Sequence, residues 1–281
     1  MLGPQRRSAI VSEVRRRGGV RLSELASALG VSDMTVRRDV DALVEQGLLA
    51  RVHGGVLPVD TPVDEPAFAT KQVRQAAEKA SIAQAAAALV APGSAVGISA
   101  GTTTAALAQE LTEVNNLTVI TNSIAASDVL HRAANGSRTV ILTGGIRTRS
   151  DALVGPAGTP VLKGLNLDVL FLGVHGMDER GGFTTPNLAE AETNRALVAA
   201  ARRVVVLADH TKWGVVGIAT IIPLTGAHTV VTDSGLDPQA LNLLRSHVTD
   251  VIAVDPSAGK ARVVRPIPSV PSAPSSSGVE S

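Results

Sequence analysis

The chain has 281 residues, enough for one medium-sized domain and a small one, and 44% of them are hydrophobic, which is typical of a folded protein. It contains no Cys, which excludes disulfides, thiolate metal sites and cysteine nucleophiles, and an aromatic content of 1% argues against base stacking as a binding mode. The net charge of +1 is unevenly spread, because residues 1–58 carry +3 and the remainder carries −2.

The basic charge of the first 58 residues comes from nine Arg and no Lys. Guanidinium is a planar group with several donors, so this bias favours contacts with phosphates and guanine, although an ordinary solvated charged surface is the alternative. Apolar stretches throughout the chain are interrupted by Gly, Pro or charge before they could span a bilayer, and no signal-peptide pattern opens it. We therefore expect a cytoplasmic protein that makes no membrane contact.

Two short helices are predicted near the N-terminus. The first covers residues 22–29 and ends at Gly30, a typical C-cap, and the second begins after Ser32, which occupies its N-cap position. The face of the second helix that would pack on the first is formed by Val36, Val40 and Leu43. Arg38 falls on the opposite face with Thr35 and Arg37 on its flanks, near the N-terminal half that meets base edges in a recognition helix.

A hairpin is predicted directly after these helices. Residues 48–52 and 55–57 form its strands, and His53-Gly54 forms its tight turn. Arg51 and His53 would lie at or beside the tip, near a phosphate backbone, although His53 taken alone is more simply a turn residue. Helix, glycine turn, Ser-capped Arg helix and hairpin in this order predict a winged helix-turn-helix DNA-binding domain over residues 1–58.

A proline-rich segment separates this domain from the rest of the chain. Residues 58–66 hold three Pro and three acids, which cannot continue a helix, so residues 59–70 are predicted to be a linker. A long helical pattern then covers residues 71–90 and stops at Pro92-Gly93. The last residues, 256–281, are rich in Pro and Ser and are predicted to be a disordered tail.

Between these segments, residues 71–255 are predicted to form a second and larger domain. Seven short apolar runs predict strands at residues 95–98, 117–120, 139–142, 169–172, 204–207, 229–232 and 251–254. Helical patterns fall between many of them, at residues 104–111, 124–132, 188–201 and 238–246. Continuous apolar strands that alternate with helices predict an α/β domain with a mostly parallel sheet covered on both faces.

The first predicted strand of this domain leads into a Gly-Thr loop, formed by Gly101, Thr102, Thr103 and Thr104. Glycine lets the backbone approach a ligand, and hydroxyls and free amides at a helix N-terminus make an anion site, although Thr also caps helices for local reasons. Other predicted strand ends carry Asn122, Gly144, His175, Asp209 and Lys212. Because ligands bind outside the carboxyl ends of parallel strands, we expect these groups to converge, with Lys212 as a charge for a phosphate.

Several of these residues have simpler explanations. Asn122 and Gly144 are also typical turn residues, His175 could be an ordinary loop histidine, and Asp209 could cap a turn. Two acids on a predicted helix, Glu190 and Glu192, are expected to be solvated.

The motifs of both domains resemble those of one family. The N-terminal signature comprises Leu29-Gly30-Val31-Ser32, Thr35-Val36-Arg37-Arg38-Asp39-Val40 and Arg51 with His53-Gly54-Gly55. The C-terminal one comprises Gly101-Thr102-Thr103, Thr121-Asn122, Thr143-Gly144-Gly145, Glu190-Ala191 and Asp209-His210-Thr211-Lys212. Together they resemble the DeoR family of bacterial sugar-metabolism transcriptional regulators.

This resemblance implies operator DNA as a partner, usually bound by a repressor, with Thr35, Arg37 and Arg38 in or near the groove. The residues predicted to bind DNA are Ser32, Thr35, Arg37, Arg38, Arg51, His53 and Gly54. Asp39 could instead tether an Arg within the module. The resemblance also implies a sensor domain related to ribose-5-phosphate isomerase and coenzyme A transferases, in which the Gly-Thr-Thr loop and the Lys hold a phosphorylated sugar. We expect a homo-oligomer, either dimer or tetramer, that needs no cofactor or metal. One departure is Ser99, where the family often has Asp.

Two other functions remain open from the sequence. One is a sugar-phosphate isomerase or acyl transferase with a fused DNA-binding module, for which Asp168, Glu190, Glu192 and Asp209 are candidate bases, although no motif ties any of them to that role. The other is a constitutive DNA-binding protein whose α/β domain only forms oligomers.

Overall fold

The computed structural model describes residues 3–17, 19–45, 48–52, 55–58, 68–133 and 137–258. The N-terminal part forms a winged helix-turn-helix whose elements are, in chain order, α1 (Gly3–Arg17), β1 (Val20–Arg21), α2 (Leu22–Leu29), α3 (Asp33–Glu45), β2 (Leu49–Val52) and β3 (Gly55–Pro58). The three strands make a small antiparallel sheet with β3 in the middle. Neither α1 nor β1 was predicted from the sequence.

The predicted helix-turn-helix is confirmed in its local details. Gly30 ends α2 in the left-handed conformation with φ +64°, and its N–H donates to carbonyls of the last turn of α2. Ser32 Oγ accepts a hydrogen bond from Thr35 N at 3.3 Å at the start of α3. The predicted packing face is fully buried, and Ile10 and Val14 of α1 join it in the same core. The exposed Arg face of α3 is therefore carried by a packed three-helix unit.

Two helices connect this unit to the larger domain, α4 (Phe68–Val73) and α5 (Ala76–Ala87). The prediction of one continuous helix over residues 71–90 is wrong, because the chain breaks at Gln75, which has φ +49°. The Lys79 ammonium of α5 donates to the carbonyls of Lys71 and Arg74, which lie at the end of α4. A cation at a helix C-terminus satisfies carbonyls that have no partner within the helix, so this side chain stabilises the break.

The remaining elements alternate strands and helices. In chain order they are β4 (Ala95–Ile98), α6 (Thr102–Glu110), β5 (Thr118–Thr121), α7 (Ile124–Arg132), β6 (Thr139–Leu142), β7 (Ile146–Arg147), β8 (Leu153–Val154), β9 (Val169–Gly173), β10 (Gly176–Asp178), β11 (Gly182–Thr185), α8 (Leu188–Ala199), β12 (Val204–Leu207), β13 (Ala219–Ile222), β14 (Thr229–Asp233), α9 (Pro238–His247) and β15 (Asp250–Val254). All seven predicted strands are present within one residue at each end, and they form one sheet.

That seven-stranded sheet is parallel throughout, in the order β15-β14-β12-β9-β4-β5-β6. Apolar residues are buried on both of its faces. One face packs with α5, α6 and α7 around Phe171, and the other packs with α8 and α9 around Leu170 and Leu172. The predicted α/β class, with a mostly parallel sheet covered on both sides, is confirmed.

The strand order places the centre of the sheet between β4 and β9. From β4 the chain proceeds outward through β5 to β6, whereas from β9 it proceeds in the other direction through β12, β14 and β15. The connections after β4 and after β9 therefore leave in opposite directions, and a crevice opens between them at the carboxyl ends of the two strands. Open α/β sheets bind ligands at such a crevice. A separate antiparallel sheet in the order β10-β11-β13 packs beside this edge and was not predicted.

No helix in the described parts of the chain is both long and apolar enough to cross a membrane.

Candidate DNA-binding surface and sensor cleft

An exposed basic surface lies along α3 and the wing. Arg37 and Arg38 are exposed on the first half of α3, Thr35 is half-buried between them and the helix N-terminus, and Arg51 is exposed on β2. These four side chains line one open groove. Met34 lines the same groove and is 77% exposed. It was not singled out in the sequence, and its thioether could contact a thymine methyl group.

Two ion pairs connect α3, which carries this surface, to α1 and to the wing. Asp39 is buried and accepts from Arg6 Nε of α1 at 2.5 Å, so its role is to join α1 to α3 within the module. Arg51 Nη1 lies 2.8 Å from Asp41 Oδ1, which links the wing to α3. The Arg51 pair is about half exposed, and such pairs contribute roughly 0–1 kcal/mol, so the guanidinium can exchange Asp41 for a phosphate at little cost.

The remaining predicted DNA-contact residues have different positions. Ser32 is exposed, but its hydroxyl is occupied as the cap of α3 and lies 2.9 Å from Thr35 Oγ1. His53 and Gly54, at the predicted tip of the wing, lie outside the described residues.

A polar cleft lies at the carboxyl ends of β4 and β9. It is lined by the loop after β4 (Ala100 to Thr103), the loop after β9 (Gly173 to His175) and Lys212 after β12. The two loops are in contact at Gly101, where a Cβ would lie at an ordinary 3.7 Å from Gly173 Cα and at a tight 3.0 Å from Thr104 Oγ1. The structure therefore brings together three of the five strand ends that the sequence analysis expected to converge.

The Gly-Thr loop presents the N-terminus of a helix to this cleft. That helix was predicted over residues 104–111, whereas α6 begins at Thr102. The amides of its first turn have no partner within the helix and carry the positive end of the helix dipole. Together with Lys212, this end of the cleft suits an anion such as a phosphate.

Further cations approach the same place from the connecting helices. Lys71 of α4 lines the cleft, and Lys79 of α5 is buried close to it. Burial lowers the pKa of Lys79 from 10.5 to about 8, and although the charge of Asp209 opposes this effect, repulsion from Lys212, Lys71 and Arg74 adds to it. The connecting helices thus contribute positive charge to the cleft, which the sequence analysis did not foresee.

Four residues predicted to bind ligand do not line the cleft. Thr104 is fully buried and donates to the Gly101 carbonyl at 3.0 Å, and Gly144 adopts φ +78° in the segment between β6 and β7. Asn122 is buried, accepts from Ala100 N at 2.9 Å and donates to a carbonyl near β8, so it supports the Gly-Thr loop from behind. Asp209 accepts from the amide of Thr211 at 3.1 Å and caps the turn that carries Lys212.

Ser99, the departure from the family pattern, is fully buried at the end of β4. Its Oγ accepts from Gly173 N at 2.8 Å, which ties the ends of β4 and β9 together. In this chain Ser99 therefore helps to hold together the two strand ends that form the cleft.

One prediction about the acids is wrong. Glu190 was expected to be solvated, but it is only 7% exposed and lines the cleft, whereas Glu192 is exposed as expected. Asp168, the remaining candidate base, lies at the amino end of β9 and accepts from Ala95 N at 2.9 Å. Of the four acids considered for catalysis, Glu190 is therefore the one that lines the cleft.

Comparisons with known proteins agree with both halves of this description. A model of the DeoR-like helix-turn-helix domain matches residues 6–61, and a model of the DeoR C terminal sensor domain matches residues 74–234. The uncharacterized HTH-type transcriptional regulator YgbI of Escherichia coli K12 is 36% identical over 245 residues, which cover 87% of this chain and 95% of that protein. The glycerol-3-phosphate regulon repressor of the same organism is 30% identical over 243 residues, covering 86% and 96%.

Among solved structures, ribose 5-phosphate isomerase A from Methanocaldococcus jannaschii aligns with 48% of this chain and 53% of its own. The sequence identity is 19% and the TM-score is 0.36, a likeness too small to support a statement about activity.

Proposed function

The chain belongs to the DeoR family of DNA-binding transcriptional regulators, and from this premise we propose that it represses a carbohydrate-metabolism operon until a phosphorylated sugar releases it from its operator. The observation that carries the proposal is the pairing of an exposed Arg face on a Ser-capped helix with an anion-suited cleft at the topological switch point of the sheet. A relative at 30% identity is named for a glycerol-3-phosphate regulon, which favours a phosphorylated ligand.

On the DNA side, α3 enters the major groove. Arg37 and Arg38 lie on its exposed first half, the part of a recognition helix that meets base edges, and Thr35 flanks them. Arg51 on the wing contacts a phosphate, and His53 and Gly54 are assigned beside it at the predicted tip. An operator is read by two copies of this module, so the protein acts as a dimer or tetramer, in the cytoplasm where the DNA lies.

On the sensor side, the ligand phosphate binds at the first turn of α6 and at Lys212. Gly101, Thr102 and Thr103 supply amides and hydroxyls, and Lys212 supplies a charge-assisted contact. The other four predicted residues do not line the cleft, and their role is to hold the loops around it in place; they are Thr104, Asn122, Gly144 and Asp209.

The connecting helices provide the path between the two sites. Lys71 of α4 lines the cleft, and Phe68 N at the start of α4 donates to the Arg149 carbonyl at 3.2 Å, beside Ser150 of the same cleft. A ligand that favours one position of α4 changes the spacing of the two DNA-binding modules in an oligomer. Ligand binding releases DNA only if it favours the DNA-incompetent arrangement, since equal affinity for both would shift nothing.

The test is a fluorescence-anisotropy titration of operator DNA with and without the sugar phosphate that gives the largest thermal shift in a screen. Thr103→Val and Lys212→Ala should bind operator normally and lose the response, whereas Lys163→Ala, at an exposed lysine away from the cleft, should respond like the parent. If both cleft variants respond as strongly as the parent, the phosphate is held elsewhere.

The other two functions have distinct outcomes in simple assays. Turnover of ribose 5-phosphate by the purified protein would favour the enzyme. Operator binding that no sugar phosphate alters would favour the constitutive DNA-binding protein.

A further inference from the structure

The wall of the cleft contributed by α8 contains acceptor groups that the phosphate site does not use. Glu190 and Asn194 are one helical turn apart on α8, both line the cleft, and they are 7% and 6% exposed. Ser150 and Thr185 line the cleft beside them. We call these four residues the α8 wall.

Three hydroxyl groups hold the carboxylate of Glu190 in place. Its Oε1 accepts from Thr148 Oγ1 at 2.6 Å and from Ser150 Oγ, and its Oε2 lies 3.5 Å from Thr185 Oγ1. The first two donors come from the loop of the β7–β8 hairpin and the third from the end of β11, so two separate parts of the chain converge on one side chain. Burying a carboxylate costs free energy unless hydrogen bonds compensate for the water it loses. A network of this kind indicates a built polar site.

Asn194 provides an independent observation. Its Oδ1 is buried and has no hydrogen-bond partner among the described residues. The great majority of buried side-chain polar atoms in proteins have a hydrogen-bond partner, and leaving one unpaired costs free energy. A partner supplied by a ligand would satisfy it.

The chemistry of the wall limits what that partner can be. An ionised carboxylate accepts hydrogen bonds and does not donate them, and Glu190 already accepts from hydroxyl groups of the protein, so this wall favours a ligand group that donates. A sugar or polyol hydroxyl does this, whereas a carboxylate of a sugar acid would lie against another negative charge.

We propose that the α8 wall binds the hydroxyl-bearing end of a phosphorylated sugar or polyol and discriminates against phosphorylated sugar acids. This inference rests on the proposed function, because it assumes that the phosphate binds at the first turn of α6. Glu190 and Asn194 then determine which phosphorylated compound the protein senses, while Lys212 and the Gly-Thr loop bind the part that all such compounds share.

The experiment uses matched pairs of ligands that differ at one carbon. Sorbitol 6-phosphate and 6-phosphogluconate share a six-carbon chain and a phosphate, and differ in a terminal hydroxymethyl or carboxylate group. Glycerol 3-phosphate and 3-phosphoglycerate form a shorter pair, and inorganic phosphate reports on the phosphate site alone. Dissociation constants are measured by calorimetry with the full-length chain and with Glu190→Gln, Asn194→Leu and the control Glu192→Gln, whose side chain is exposed on the same helix.

The parent and Glu192→Gln should bind the polyol member of at least one pair about tenfold more tightly than the acid member, a difference typical of one buried charged contact. Glu190→Gln should narrow that preference to about threefold or less. Asn194→Leu should raise the dissociation constant of the polyol phosphate about tenfold and leave that of inorganic phosphate unchanged. Operator affinity without ligand, which should equal that of the parent, shows that each variant is folded.

Other results would overturn the inference. The parent could bind the polyol phosphate and the acid phosphate of each pair equally well, or Glu190→Gln could keep the parent's preference for the polyol phosphate. Either result would show that the α8 wall does not select the ligand. If inorganic phosphate binds and no polyol phosphate binds more tightly, the phosphate site stands and this inference fails. If neither phosphate nor any pair member binds, the proposed sensor site fails with it.

Discussion

Lys79 offers a sensitive test of how the connecting helices are held. This lysine is 5% exposed, its ammonium donates to the carbonyls of Lys71 and Arg74, and burial lowers its pKa from 10.5 to about 8. Between these two values the folded protein has released the proton and the unfolded chain still holds it. The unfolded state then binds more protons, so the free energy of unfolding must rise with pH in this window.

The size of the effect follows from the two pKa values. Each tenfold change in proton affinity corresponds to about 1.4 kcal/mol, so a change from 10.5 to about 8 corresponds to about 3 kcal/mol. Salt screens the repulsion from Lys71, Arg74 and Lys212, which are only half-buried, so we expect about 2 kcal/mol to be observed. For a domain of this size that is a change of roughly 4–8 °C in the midpoint of thermal unfolding.

The assay follows thermal unfolding by circular dichroism from pH 7 to pH 10 for the parent, Lys79→Met and Lys163→Met. The parent midpoint should rise by roughly 4–8 °C relative to that of Lys79→Met as the pH increases. Lys163 is exposed, so Lys163→Met should follow the parent. Parallel curves for the parent and Lys79→Met would show that the pKa of Lys79 is not lowered on folding and would contradict the desolvation of its ammonium.

The remaining predictions concern DNA binding and the C-terminal tail. Arg38→Ala should cost about 1–3 kcal/mol of operator affinity and relax one base position, and an unchanged affinity at matched salt in gel-shift assays would mean that the recognition face is misassigned. Arg51→Ala should weaken binding to all sequences alike and lower the salt slope by about one, whereas a sequence-selective loss would make Arg51 a base reader. Deletion of residues 260–281, chosen for their Pro and Ser content, should leave the melting temperature and the operator affinity nearly unchanged. A large loss of stability would show that the tail docks on the protein.

The central sheet could be predicted because its strands are continuous apolar runs. A strand buried on both faces needs no polar alternation, so runs such as Val204–Leu207 are visible without knowledge of their neighbours. Two strands of the antiparallel sheet, β10 and β11, lack this signal. Gly182–Thr185 contains only one large apolar residue and depends on pairing with β10 and β13, which is a tertiary effect.

The break between α4 and α5 was missed for a different reason. The sequence around Gln75 contains neither Gly nor Pro, and its helical pattern continues without interruption. The left-handed conformation there is stabilised by Lys79, whose contacts with the end of α4 cannot be inferred from spacing alone. Tertiary contacts of this kind override local propensity.

The cleft was predictable where it is built from strand ends and not where helices contribute to it. The Gly-Thr loop and Lys212 follow strands, so the topology of a parallel sheet was enough to expect them there. Lys71, Glu190 and Asn194 lie on helices, where a charged or polar residue is usually solvated. The Glu190-Ala191 pair was noticed as part of the family resemblance, but nothing in the sequence indicated that its carboxylate would be buried.

The central claim is that the cleft and the DNA-binding surface are coupled, and linkage supplies its most direct test. Operator affinity is measured with and without the sugar phosphate identified by thermal shift, and the affinity for that sugar phosphate is measured with and without operator. Because coupling between two sites is reciprocal, both affinities should fall by the same factor, roughly 5- to 150-fold. A sugar phosphate that binds tightly while operator affinity stays the same would contradict the claim.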